Sequence, residues 1–332
     1  MRGERTTFAS LILKFFGSML NRRHIRIKVM QTIYAYTGGE GGDFKADQIF
    51  LLRSIENMYN LYLLQLSLLI KLQERSEDYV TKTQQKQLAT SDDKNPNKKF
   101  SNNEVLLALK SNIRLKDAFE DHKVTNWDLD GEYVDVIFKD MLASDLYAEY
   151  MQTRTSTFAD DKNFIIDLFK EIIAPNDKLY DYLEDQSLTW TDDLPVVNTA
   201  VLKLLRKVKV SSADTFFLPE LFKDDDDRAY ALDLFKKTIL KQNSLNETIA
   251  QKTQNWDADR IASIDTVLLQ MAICELTNFP SIPVKVTINE YLEIAKEYST
   301  PKSSVFINGI LDKLVKEYQE SEKLNKVGRG LM

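Results

Sequence analysis

The stretch "SIPVKVTINEYLEIAKEYSTPKSSVFINGILDKL", residues 281–314, decides how this chain folds. "VKVTINEYLEIAKEY" reads as one helix opened by a proline. "STPKSSVFINGILDKLV" reads as a second, with Thr300 as its cap and Pro301 at the first helical position, where a missing N–H costs nothing. Upstream, "NWDADRIASIDTVLLQMAICELTNFPSIP" is a long apolar-striped helix stopped by Asn278, Pro280 and Pro283.

The same signature extends through the chain. There are only 7 prolines and 10 glycines in 332 residues, and between Asp43 and Asn308 the only glycine is Gly131. A sheet protein of this size needs more turn punctuation than that, so the expected class is all-α. Toward the N-terminus a helix is expected from about Lys45 to Tyr79, where Ile55, Met58, Tyr62, Leu66 and Leu69 keep a 3–4 spacing. "TKTQQKQLATSDDKNPNKKFSNN" is polar and has Phe100 as its lone aromatic, so residues 81–103 are expected to be a mobile linker. Helices should resume at about 103–120 and 132–152. "DDKNFIIDLFKEI" at Asp160 is repeated as "DDRAYALDLFKKT" at Asp226, and Leu179/Leu245, Trp190/Trp256 and Asp193/Asp259 keep the same register. The pattern fits a duplicated helical unit, with both tryptophans in cores. The tail beyond Gln319 is polar.

The formal net charge is -6, yet residues 1–36 hold seven Lys/Arg against one acid. Three of them, Arg22, Arg23 and Arg26, open the helix of "RRHIRIKVMQTIYAY", where the macrodipole makes cations unfavourable. A basic element on an acidic body points to local contact with a polyanion; the alternative is a solvated first turn. Residues 1–18 have an apolar centre broken by Lys14 and no small-residue cleavage site, and they read as an extension upstream of a start at Met19. A single cysteine, Cys274, leaves no disulfide within the chain and points to a reducing, cytoplasmic compartment. The greasiest run, "YLLQLSLLIKL", is interrupted by Gln65, Ser67 and Lys71 and reads as a buried helix, not a membrane span.

Two histidines, His24 and His122, are too few for a His-rich metal site. No phosphate-loop, dinucleotide, C-x-x-C or H-E-x-x-H motif is present, and no carboxylate pair stands out. The expectation is a protein without catalytic residues, metal, cofactor or small-molecule substrate.

The segment at 281–314 resembles the C-terminal signature of the NusB transcription antitermination family, roughly V-P-x-K-V-A-I-N-E-A-[IV]-E-L-A-K, a short loop, then S-x-K-F-V-N-G-V-L-D. The matching residues are Pro283, Lys285, Val286, Ile288, Asn289, Glu290, Glu293, Ala295, Lys296, Phe306, Asn308, Gly309, Leu311 and Asp312. Arg22, Arg23, Arg26, Gln31 and Tyr34 match the family's N-terminal R-R-x-A-R-x-x-A-[VL]-Q-x-L-Y. The resemblance implies an all-α fold of two small helical bundles. It divides the chain into a dispensable extension (1–18), the family's first helix (19–36), a helical insertion (37–224), the core helices (225–316) and a polar tail (317–332). The insertion departs from the family pattern and has no assigned role.

The resemblance further implies an RNA-binding factor that recognises the boxA segment of ribosomal RNA leaders together with NusE, a small-subunit ribosomal protein. The complex helps RNA polymerase read through terminators. The alternative is a NusB-like RNA-binding or protein-adaptor module in ribosomal RNA maturation. In this reading Arg22, Arg23 and Arg26 face RNA phosphates, which guanidinium groups bind bidentately. Lys302, Ser303, Ser304 and Asn308 form a second element at a helix start, and Phe306 stacks on a base or packs in the core. Lys302 departs from the acid found there in some relatives. Tyr34 and Asp265 would face NusE; otherwise they are a half-buried aromatic and a solvated acid.

Overall fold

The computed structural model describes residues 18–38, 43–88, 90–212, 214–253 and 261–328. Among them the chain is helical and has no strand. The main helices are α1 (Arg22–Gly38), α2 (Phe44–Gln84), α3 (Glu104–Ser111), α4 (Ile113–Asp121), α5 (Gly131–Leu142), α6 (Asp145–Tyr150) and α7 (Phe158–Leu168). They continue with α8 (Asp177–Gln186), α9 (Thr189–Lys207), α10 (Asp225–Leu240), α11 (Gln242–Lys252), α12 (Ser263–Asn278), α13 (Val284–Tyr298) and α14 (Ser303–Glu320). Among the described residues no helix is long and apolar enough to cross a membrane.

Local chemistry sets many of the boundaries. Asn103, Asn112, Ser144, Asn176 and Asp224 each accept a backbone N–H from the first turn that follows. Thr157 and Asp160 form a reciprocal capping box at the start of α7. Helix α14 begins two residues later than Pro301 predicts, because the Ser303 N–H first bonds back to the Thr300 carbonyl as a turn.

Two compact units result, one of Leu20–Ile55 with Phe222–Met332 and one of Glu56–Leu221 with Met19. In the terminal unit α1 packs on α10, α12 and α13, and α12 also packs on α11, α13 and α14. Its core is built from Ile25, Val29 and Ile33 of α1, Leu234 and Phe235 of α10, Leu268 and Ala272 of α12, and Leu311 and Leu314 of α14. The unit extends beyond the expected 19–36 and 225–316, because the first turns of α2 belong to it. Phe44 stacks on Phe235 at 5.6 Å, and Leu51 and Ile55 are fully buried. Two contacts tie the C-terminal segment to this unit. Tyr318 is buried, and Val327 donates to the Pro280 carbonyl at 3.0 Å.

In the inserted unit α7 packs on α3 and α9, and α8 packs on α9. This is the arrangement of α10 on α1 and α12, and of α11 on α12, in the terminal unit. The 66-residue repeat is thus matched by burial. Asp161/Asp227, Phe164/Tyr230, Leu168/Leu234, Phe169/Phe235, Leu179/Leu245, Leu183/Ile249, Val201/Val267 and Leu205/Met271 are buried in both copies. Trp190 is buried and donates to the Asn57 carbonyl, whereas Trp256 and Asp259 lie outside the described residues, as do the first 17 residues of the expected extension.

The expected linker at 81–103 is instead largely structured. Helix α2 runs on to Gln84, and Ser91–Lys94 forms a capped helical turn. Asn97 donates to the carbonyls of Met151 and Thr153, and the Lys99 ammonium donates to the Tyr150 carbonyl at 2.7 Å. Phe100 is fully buried against the rings of Tyr147 and Phe164. Asn97 and Lys99 satisfy the chain's own backbone and Phe100 anchors them, while most side chains of residues 81–91 are exposed.

Candidate nucleic-acid interface

Helix α1 opens with its basic residues, and the macrodipole cost is met by three acids from other helices. Arg22 donates through Nε to Asp227 of α10 at 2.8 Å and lies over the Tyr230 ring at 5.0 Å. Arg23 makes a bidentate pair with Glu290 of α13, both bonds 2.9 Å. Arg26 makes a bidentate pair with Glu275 of α12, both bonds 2.8 Å. Glu275 is completely buried and also accepts from the hydroxyls of Tyr230, Thr287 (2.7 Å) and Tyr291 (3.3 Å).

All three arginines, expected to face RNA phosphates, have acid partners within the chain, and Arg26 is not presented outward. Arg26 is only 2% exposed and belongs to the core, because a carboxylate with three hydroxyl donors is built around it. Burial by itself would lower the Arg26 pKa, but Glu275 more than offsets this, and the guanidinium stays charged. Burial likewise pushes Glu275 up, and the Arg26 charge with the converging hydrogen bonds holds it below the usual carboxylate range. Lys28, also on α1, is buried too.

Arg22 and Arg23 differ from Arg26. Their side chains remain 38% and 39% exposed while one edge of each is fixed by its acid. With Asn21, Ser281, Pro283 and Val286 they line an open groove of about 630 Å³, between the start of α1 and the α12–α13 connection. Two guanidinium groups are thus oriented, by long-range partners, at the mouth of a cleft. Glu290 and Asp227, which do the orienting, were not singled out by sequence reasoning; the family motif contains Glu290 but gives no hint of its partner.

The second expected element lies at the α13–α14 connection. Asp265, at the start of α12, is buried and accepts from Ser299 (2.5 Å) and Ser303 (2.7 Å). It fixes this connection from inside, which corrects its expected place on an exposed partner surface. Ser303 is buried with it. Phe306 is 8% exposed and packs in the core, so its side chain is not presented for stacking. Lys302 is exposed, and Ser304 and Asn308 are half-buried, with Asn308 donating to Asp312 at 3.0 Å. Val305, not anticipated, is exposed beside them. Tyr34 is 49% exposed on α1. Among the described residues no group of His, Cys, Asp and Glu could hold a metal ion, and Cys274 is buried with its thiol pushed up to about 11 by burial.

Comparison with known proteins covers α10–α14 and does not extend to α1. The NusB family model matches residues 199–316. A transcription antitermination protein NusB from Salinibacter ruber is 42% identical over 112 residues, 34% of this chain and 70% of the relative. The proteins of that name from Chloroherpeton thalassium and Koribacter versatilis are 38% identical over 129 residues and 34% identical over 109 residues. These cover 39% and 33% of this chain, and 61% and 75% of the relatives. No solved structure matches the chain. With its signature helices forming one compact unit around the Arg26–Glu275 pair, and with relatives of this identity and coverage, the chain belongs to the NusB family.

Proposed function

We propose that the protein is a transcription antitermination factor that binds the boxA segment of ribosomal RNA leaders through the α1 groove, together with NusE, and acts without catalysis. Family membership and the names of the relatives support the general role. The observation that carries RNA contact is the pair of half-exposed, acid-oriented guanidinium groups of Arg22 and Arg23 at the mouth of an open groove. Preorganised guanidinium loses little entropy on binding a phosphate. Lys302 and Ser304, exposed or half-exposed near the start of α14, extend the polar surface, and Tyr34 is the accessible side chain for a protein partner. Asp265, Ser303, Phe306 and Arg26 serve the interface indirectly, by fixing the elements that carry it.

The test is a titration of boxA RNA at several salt concentrations, with and without NusE, comparing wild type with Arg22→Ala/Arg23→Ala. Two lost phosphate contacts should flatten the log–log salt slope by about 1.4. Because each arginine has an acid partner, a second reading is a helical protein adaptor; that protein would bind NusE with no salt-dependent RNA affinity.

A further inference from the structure

The repeat places a second groove in the inserted unit at the position equivalent to the first. The α1 groove lies between the first helix of its bundle and the segment that follows the long helix α12. In the inserted unit, α3 packs on α7 as α1 packs on α10, and α9 stands in the place of α12. Between α3, α4 and the segment after α9 is an open groove of about 610 Å³. The shared aspartate makes the correspondence concrete. Asp227 accepts from Arg22, at the first position of α1, and Asp161 accepts the backbone N–H of Glu104, at the first position of α3. The inserted copy has no arginine at the start of α3.

Other cations line its groove. Lys110, Lys116 and Lys209 face it, and Lys209 closes a run, residues 201–210, that holds four cations and no acid. Lys110 is neutralised by Glu77 at 2.7 Å. Lys116 and Lys209 are exposed and have no carboxylate partner among the described residues. Leu107 and Val210 are exposed on the groove wall, and Phe158 is half-exposed there. Unpaired ammonium groups beside an accessible aromatic and aliphatic surface suit a single strand, whose phosphates take the charges and whose bases lie on the apolar wall. We propose that this groove of the inserted unit is a second, sequence-tolerant binding site for single-stranded RNA. It deepens the RNA-binding reading above and predicts a longer footprint than the α1 groove alone supplies.

The test uses the full chain and the exposed-surface double variant Lys116→Glu/Lys209→Glu, with folding checked by circular dichroism. Anisotropy is measured with a short boxA RNA and with the same RNA extended by single-stranded uridines. Wild type should bind the extended RNA about tenfold more tightly, with a salt slope steeper by roughly 1.4, the contribution of two phosphates. The double variant should lose that gain and keep its affinity for the short RNA. Extended RNA carrying 4-thiouridine should crosslink to peptides containing Leu107 or Val210. If the double variant matches wild type on both RNAs, the proposal is overturned. It is equally overturned if the extension adds no affinity while an oligoglutamate peptide binds in a lysine-dependent way, which would make the groove a site for acidic peptide. Crosslinking of long RNA to this groove without binding of short boxA RNA would uphold the second site and sink the boxA reading; no binding of either RNA sinks both.

Discussion

Arg26→Ala gives the sharpest test of how the terminal unit is held together. The substitution leaves Glu275 fully buried, with three hydroxyl donors but without its paired guanidinium. Removing one partner of a buried pair costs about 3–5 kcal/mol, chiefly because the remaining charge is uncompensated. Glu275 can escape part of that cost by taking a proton. With the guanidinium gone, burial is opposed only by the hydroxyl hydrogen bonds, and the pKa of Glu275 rises above its wild-type value. A carboxyl that is neutral when folded and charged when unfolded at pH 7 costs roughly 1.36 kcal/mol for each pH unit above its unfolded pKa of about 4.3, or about 3.7 kcal/mol.

The sign of the pH dependence follows. In wild type the folded pKa of Glu275 is depressed, so its contribution is present above the unfolded value and is lost as pH falls through the folded one. Wild type should therefore show no change from this group between pH 7 and pH 5. In the variant the folded pKa is raised, so the deficit should shrink as pH falls over the same two units, by at most about 2.7 kcal/mol. Arg26→Met/Glu275→Leu should be less destabilised than Arg26→Ala, held back by the orphaned hydroxyls at about 1–3 kcal/mol. Urea unfolding at pH 5–8 gives the totals. Because the two compact units need not unfold together, hydrogen exchange of α12 peptides isolates the relevant one. A deficit below about 1 kcal/mol at pH 7, or one independent of pH, would refute the reasoning.

Phe306→Ala should destabilise the fold by about 3–5 kcal/mol, seen as a lowered thermal midpoint; an RNA-affinity loss at unchanged stability would show that the ring is presented outward. Asp265→Ala frees Ser299 and Ser303 and should cost about 1–3 kcal/mol, with faster amide exchange confined to the α13–α14 connection. Trypsin should cut first after exposed Lys86 and spare Lys99, whose ammonium is bonded to the Tyr150 carbonyl; early cleavage at Lys99 would restore the picture of a mobile linker.

The sequence by itself determined what is written in near neighbours. Helical periodicity, asparagine and serine caps, proline stops and scarce glycine depend on contacts three or four residues apart, and they place α12, α13 and α14 close to where they lie. The period of the repeat was legible too, since it needs only comparison of the chain with itself, and the family motifs at both ends identified the core helices. Tertiary structure alone decided which charges face water. Arg22, Arg23 and Arg26 look alike in a helical turn, and they differ because Asp227, Glu290 and Glu275 arrive from 205, 267 and 249 residues away. The same holds for Phe100, a lone aromatic in a polar stretch until the rings of Tyr147 and Phe164 close on it, and for Asp265, exposed in an isolated helix and buried once Ser299 and Ser303 fold over it. Local pattern fixes a backbone because its hydrogen bonds are local; the solvation and pairing of a side chain depend on what distant chain is packed against it.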